Sequence, residues 1–292
     1  MADYERLAQW VLSSAKDLDL RVTKLDWIDS YYKGYSDIAV KIKIESIIYE
    51  GRGSDMDSTV ALMKGVTEAV ERFVCRANKI SSIGVAGHYN EDAAKENSLL
   101  EFIERTAISA HFSQKIGMNL KSIESISTNT KDFGNVSLKV HQFQMVTPEI
   151  YFGVFTLTEG TESGFEIGGI MGAAVARNFE EAARKSSIEC FRNVAALSTH
   201  SHTSINFDQF IKIKNSSSKD SQNILFNREY CKTLLDTLLP SKATEPAFNI
   251  NLNDLIFESL DYSSAVLSDC PLKFVRCLDQ NRNPAPDTEF VG

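Results

Sequence analysis

Two stretches of this 292-residue chain set carboxylates and cations at helical spacing: Lys64, Glu68, Glu71 and Arg72, then Asn97, Glu101, Glu104 and Arg105. At about 100° per residue each set falls within an arc of roughly 100°, stacked on one helix face. A third set, Lys185, Glu189, Arg192 and Asn193, keeps the first acid and puts arginine in place of the second. Carboxylate oxygens are hard ligands that suit Mg²⁺, while guanidinium and ammonium groups suit phosphate oxygens. The chemistry such faces offer is the grip of a nucleoside triphosphate through several divalent cations. Taken singly, Glu-x-x-Glu-Arg is common on solvated helix faces, where a Glu–Arg pair four apart adds only about 0.2–0.5 kcal/mol. A solvated face, however, constrains no register.

The register is kept. Laying residues 51–73 over 84–106 superposes Gly51/Gly84, Ala61/Ala94, Glu68/Glu101, Glu71/Glu104 and Arg72/Arg105. Gly172, Ala182 and Glu189 repeat the mutual spacings of Gly51, Ala61 and Glu68. The alanine seven residues before the first Glu lets each helix approach a neighbour closely. A Walker-type G-x-x-x-x-G-K-[ST] loop is absent, and Gly168-Gly169-Ile170-Met171-Gly172 is too weak a cluster to indicate a dinucleotide.

The elements that must position these residues are legible in outline. Leu7, Trp10, Val11 and Leu18 recur at roughly helical spacing, and Ile38, Val40, Ile42 and Ile44 alternate with polar residues at a period of two. The pattern predicts a helix and then a half-buried strand that runs on to Tyr49 and the turn Gly51-Arg52-Gly53-Ser54. Asp57 or Ser58 can cap the helix that follows. A second unit is predicted with a strand over 80–85, a turn at Gly84–Gly87 and a helix from Asn90 to about Ser113. Further strands are expected near 136–146, 151–158 and 273–278, and a helix over 179–197. These elements amount to a mixed α/β (α+β) chain of repeated strand-turn-helix units around a cleft for a nucleoside triphosphate and Mg²⁺. It is expected to be one domain over 1–292, with the polar loop 214–222 able to set off a smaller C-terminal portion.

Composition removes other classes. With 43% hydrophobic and 24% charged residues the chain is globular rather than disordered. Thirty-nine acidic against thirty-one basic residues leave a charge of −8, which repels a nucleic-acid backbone. The first residues lack the basic-then-apolar order of a secretory signal, and no run of about 18 apolar residues offers a membrane span, so a cytoplasmic location is expected. Five scattered cysteines without a C-x-x-C pair indicate neither a disulfide framework nor a zinc cage, and Cys190 beside Glu189 reads as core packing. His200 and His202 read as loop residues, and His88 as a helix-entry residue that can face a nucleotide.

The GRG turn followed by E-x-x-E-R, then S-x-G-x-A with a second E-x-x-E-R, resembles the YcaO family. Residues 168–197 are similar to that family's later nucleotide helix, and Phe274-Val275-Arg276-Cys277-Leu278 to its C-terminal strand with a basic residue. The likeness spans roughly residues 35–286. Lys64 and Asn97 stand where the family often has Ser, and Thr106 where Asp usually follows the second Glu-Arg. The resemblance implies ATP and Mg²⁺ as cofactors, with Glu68, Glu71, Glu101, Glu104 and Glu189 linked to metal. Phosphate contacts would fall to Arg72, Arg105 and Arg192, with Lys64 beside them and Arg52 or Arg276 as further candidates. It implies phosphorylation of a backbone amide oxygen in a ribosomal precursor peptide, giving azolines or a thioamide. A non-catalytic ATP-binding scaffold subunit is the reading from another class. With no room for a fused leader-binding or ubiquitin-activating-enzyme-like domain, a separate partner protein is expected to present the substrate. A homodimer is compatible with the resemblance.

Overall fold

The computed structural model describes residues 2–25, 34–114, 120–130, 134–143, 152–161, 171–198 and 250–281. The chain divides into two compact units, Met1–Phe102 with Asp254–Asn283, and Ile103–Asn253 with Pro284–Gly292. The loop expected over 214–222, and His200 and His202, lie outside the described residues. Among the described residues no helix is long and apolar enough to cross a membrane.

In the first unit, α1 (Ala2–Ser14) is followed by β1 (Arg21–Leu25), β2 (Ser36–Ile44) and β3 (Ile47–Asp55), which form an antiparallel sheet in that order. The single strand expected up to Tyr49 is therefore a hairpin. Its two-residue turn, Glu45–Ser46, places Glu45 at φ 59. The sequence signal is a slip of parity. Core positions are even-numbered through Ile38, Val40, Ile42 and Ile44, then odd-numbered at Tyr49, Gly51 and Gly53. A side-chain period of two cannot change phase without a turn or bulge.

Helix α2 (Ser58–Asn78) packs its buried residues Ala61, Val66, Ala69, Val70, Phe73 and Val74 over this sheet, joined by Leu7, Trp10 and Val11 of α1. Asp57 caps it, accepting the amides of Thr59 and Val60. Lys79 ends it in the left-handed conformation, with its N–H donating to carbonyls of the last turn. That ending displaces the second predicted strand. Residues 80–84 complete the helix exit and a turn at Gly84, φ 70, so β4 spans Val85–His88 rather than 80–85. α3 (Glu91–Gln114) follows, its first turn capped by Asn90, whose Oδ1 accepts from Asp92 and Ala93. β4 is one edge of an antiparallel sheet ordered β4-β10-β9, with β9 spanning Leu255–Leu260 and β10 Lys273–Asp279.

The second unit holds a four-stranded antiparallel sheet of β5 (Leu120–Thr130), β6 (Gly134–Phe143), β7 (Phe152–Thr161) and β8 (Met171–Ala176). Helix α4 (Phe179–Ser198) follows β8, and Asn178 Oδ1 accepts the Glu181 amide at its start. Three times, then, a strand at a sheet edge feeds a helix whose cap is Asp57, Asn90 or Asn178. In each case a fully buried alanine, Ala61, Ala94 or Ala182, donates its amide to the cap carbonyl.

In two of these units strand and helix touch backbone to backbone. A Cβ on Gly51 would lie 2.0 Å from the Gly65 carbonyl oxygen, and one on Gly172 would lie 2.1 Å from that of Ser186. No side-chain motion relieves contacts with main chain. Gly51→Ala should destabilise the chain by about 3 kcal/mol or more, the upper end of overpacking costs. Gly34→Ala, with nothing within 4 Å and only the strain of φ 86, should cost about 1–2 kcal/mol. Urea unfolding of the two variants checks the order.

Candidate functional site

The close packing at Gly51 brings the outer edge of β3 onto α2. Among the described residues β3 is an edge strand paired with β2, and an edge is a template that proteins normally cover. Here a carboxylate covers it. The Arg52 N–H donates to Glu68 Oε2 at 2.7 Å. Glu68 Oε1 accepts from Arg72 Nη2 at 2.9 Å, one turn further along the helix. In the second unit the same offset recurs, with the Ala173 N–H donating to Glu189 Oε2 at 2.9 Å. The matched spacing of Gly51/Glu68 and Gly172/Glu189 in the sequence is thus a matched contact.

The middle copy is built differently. The residue after Gly84 is Val85, whose amide goes to the Ser82 carbonyl at 2.9 Å, while the Gly84 carbonyl accepts from Cys277 of β10. The edge of β4 is instead covered from α2, where Glu71 accepts the Gly87 N–H. α2 therefore serves two edges, Glu68 holding β3 and Glu71 holding β4.

Glu71 sits in an unfavourable field for an anion. Burial, then the charge of Glu101 on α3, then that of Glu68 push its carboxyl well above the usual value near 4.5, and Arg72 and the Gly87 amide only partly oppose them. Two carboxylates, Glu101 on α3 and Glu68 on α2, therefore act on a third, Glu71, in the first unit. Strongly perturbed carboxyls of this kind cluster at functional sites. Among the described residues no group of three or more His, Cys, Asp or Glu is placed to hold one metal ion. Mg²⁺ does not demand such a cage, since it usually takes one or two carboxylates and completes its shell with phosphate and water.

The remaining expected site residues fall as follows. Lys64 donates to Asp55 Oδ2 at 2.6 Å at the start of α2, half exposed. Burial works to raise the Asp55 pKa, but the Lys64 ammonium and the Asp57 and Met56 amides outweigh it and hold it below the usual range. Arg52 sends Nε and Nη2 to Asp37 Oδ2, at 2.7 and 2.5 Å. Glu104 and Arg105 form a largely buried pair at 3.7 Å in the second unit. Arg192 is half-buried on α4. Arg276 stands on β10 in register with Val85 and Glu258, and its buried Nε has no hydrogen-bond partner among the described residues. An orphaned guanidinium N–H is a donor that an anionic oxygen would satisfy.

Asp37 is the residue the sequence pattern did not single out. It is fully buried, an acid at the head of an alternating strand, and only recognition of the hairpin would place it across from Ser54 and beside Arg52. The cysteines match their bland reading. Among the described residues Cys75, Cys190 and Cys277 are buried and in no disulfide; burial, with Glu189 near, raises Cys190 well above the ordinary thiol value, and burial with Asp279 pushes Cys277 up to about 12. His88 Nδ1 accepts the Asn90 N–H, and its ring packs on Tyr89 and edge-on to Tyr4, so helix entry is its observed role. A cleft of about 470 Å³ opens elsewhere in the first unit, lined by Glu91 and by residues of β9, β10 and their connection, including Tyr262 and Cys270, and it excludes the clustered acids.

No family model and no curated protein matches this chain. Solved structures do. YcaO from Methanopyrus kandleri, bound with AMPPCP and Mg²⁺, is similar over 94% of this chain and 90% of its own, at 11% identity and a TM-score of 0.58. A heterocyclase in complex with substrate and cofactor is similar over 92% of this chain at 9% identity and a TM-score of 0.56. This chain spans about half of that protein's length, 51%. The α+β architecture is the YcaO fold.

The state of Glu71 makes a measurable demand on stability. Its folded pKa exceeds the unfolded one, so the stability it contributes is complete below about 4.5 and is lost as pH rises through the folded value. The ligand-free chain should therefore lose stability with rising pH above that point, and Glu71→Gln should flatten that loss and melt higher than the parent at neutral pH. Melting curves between pH 5 and 8 (about one unit apart) give the comparison. A lower melting point for the Gln variant throughout would contradict the crowding.

Proposed function

We propose that this chain is an ATP- and Mg²⁺-dependent peptide-modifying enzyme that activates a backbone amide of a ribosomally made precursor by O-phosphorylation, yielding azoline rings. The observation that carries it is the buried Glu71 carboxyl, loaded by the charges of Glu101 and Glu68, in a chain with the YcaO fold. A solved protein of that fold is bound with AMPPCP and Mg²⁺.

In this reading Glu68, Glu71 and Glu101 hold Mg²⁺ in the first unit, and Glu104 and Glu189 are the metal-linked acids of the second. Arg72, Arg105, Arg192 and Arg276, with Lys64, are the cations that meet phosphate oxygens. Bound Mg²⁺–ATP supplies an electrophilic phosphoryl group and neutralises the charge that builds on its oxygens. The chain's own residues position and neutralise rather than bond covalently, which is where most of the rate in phosphoryl transfer arises. Glu68 has both oxygens in hydrogen bonds, to Arg52 and Arg72, so its orientation is set before any cation arrives. The orphaned Arg276 Nε offers a donor for an anionic oxygen. The buried, protonated thiols of Cys190 and Cys277 are poor nucleophiles, consistent with the attacking group coming from the peptide's own Cys, Ser or Thr.

An amide oxygen is a poor leaving group, and its phosphate ester is a good one. Attack of the peptide side chain on the carbonyl carbon with loss of its S–H or O–H proton, transfer of the phosphoryl group to the carbonyl oxygen, and departure of phosphate with loss of the amide N–H proton leave the C=N ring, with ATP converted to ADP and phosphate. A leader-binding or ubiquitin-activating-enzyme-like partner protein is the proposed source of the presented peptide.

Titration of a non-hydrolysable ATP analogue into the purified chain should show binding that needs Mg²⁺. Glu101→Gln should weaken it about tenfold or more, at least the loss seen when a group that orients a metal ligand is removed. With precursor and partner present, ATP turnover and loss of water from the peptide are expected, and Glu101→Gln should stop both. Exchange of oxygen for sulfur would instead establish the thioamide reaction, and binding without any turnover would reduce the chain to a scaffold subunit.

A further inference from the structure

The two ends of Arg52 do different jobs. Its backbone N–H holds Glu68, but its side chain leaves from the other face of the sheet. Gly51 and Gly53 face α2, where added Cβ atoms would strike the carbonyls of Gly65 and Ala61, so strand alternation turns residue 52 away from the helix. Ser54 shares that outward face, and Asp37 stands directly across from Ser54 in the β2–β3 register. All three residues meet there. Arg52 Nε and Nη2 donate to Asp37 Oδ2, and the Ser54 hydroxyl donates to Asp37 Oδ1 at 2.5 Å.

A carboxylate with no solvent exposure is costly unless it is fully compensated, and both of its oxygens are engaged here. The clamp spans the strand segment 52–54 from one side while the helix backbone presses Gly51 and Gly53 from the other. That segment has little freedom left, and neither has the Arg52 amide that orients Glu68.

We propose that Asp37 is a positioning residue for the cation site, acting through Arg52 and Ser54 to fix the amide that holds Glu68, and that the Arg52 guanidinium belongs to this clamp and does not contact the nucleotide. The inference rests on the reading of Glu68 as a metal-linked acid. It departs from the expectation that the basic residue of the GRG turn reaches phosphate.

The test is Mg²⁺ titration of the full chain in the presence of a non-hydrolysable ATP analogue, with circular dichroism and melting recorded alongside. Asp37→Asn should keep the fold while weakening Mg²⁺ about tenfold, as loss of a group that orients a metal ligand does. Pairing Asp37→Asn with Arg52→Gln replaces the ion pair by neutral hydrogen-bonding groups and should recover most of that affinity. Ser54→Ala, which removes one hydrogen bond and leaves the ion pair, should weaken Mg²⁺ in the same direction by less, and it carries the test if Asp37→Asn does not fold. Unchanged Mg²⁺ affinity in the folded single variants would make the clamp purely structural and overturn the inference. So would a double variant that is folded yet binds more weakly than Asp37→Asn alone, because that places the guanidinium on phosphate. Failure of the unmodified chain to bind the analogue with Mg²⁺ is a different result, and it removes the functional reading itself.

Discussion

Contact between a strand edge and a helix backbone is the constraint from which the rest of this architecture follows. Where Gly51 meets Gly65 and Gly172 meets Ser186, no side chain stands between the two main chains. At that distance the helix can offer a glutamate from its middle turns to an edge amide, which is what Glu68 and Glu189 do. Edge strands must be covered somehow, and a carboxylate covers one amide with a charge-assisted bond. The consequence is electrostatic as much as structural. Acids are fixed along strand edges for a reason of folding, and at Glu71 the charges of Glu101 and Glu68 add to the cost of burial.

How far that loading matters depends on medium. Two exposed carboxylates a few ångströms apart repel by about 1 kcal/mol in water, and by several-fold more at the lower effective dielectric of a protein interior. Glu71 is on the unfavourable side of that comparison, because burial leads the causes of its raised pKa and Glu101 and Glu68 add to it. Arg72 is half exposed and opposes the repulsion only in part. A divalent ion is the simplest species that relieves several such carboxylates at once without filling the space with side chain.

The repeated face was legible in the sequence because it is local. Cap, alanine and acids lie within one helix, and helical periodicity places them without knowledge of the sheet. The cap Asp57 and the spans of α3 and α4 followed the pattern closely, with Asn90, expected as the first helical residue, serving as the cap of α3. What failed was non-local. The β2–β3 hairpin was read through as one strand, although the core positions change parity between Ile44 and Tyr49. With the hairpin missed, Asp37 had no partner, and Arg52 looked like a cation with nothing to neutralise it. β1, β5, β8 and β9 were not anticipated either, and β1, exposed along nearly its whole length, carries no alternation to detect.

The middle copy explains why identical sequence spacing need not give identical roles. In the first and third copies one oxygen of the leading glutamate is committed to the strand that precedes its own helix. In the second, the turn at Gly84 takes the Val85 amide for itself, so the equivalence of Glu101 with Glu68 in sequence does not extend to that contact. Glu101 enters the cluster through its charge on Glu71, while Glu71 covers the edge that Glu101 does not. A repeat in which every copy clamped its own strand would give three separate structural acids. Exchanging one clamp between neighbouring helices is what gathers three carboxylates into a single interacting set, and it follows from one left-handed glycine at the entrance to β4.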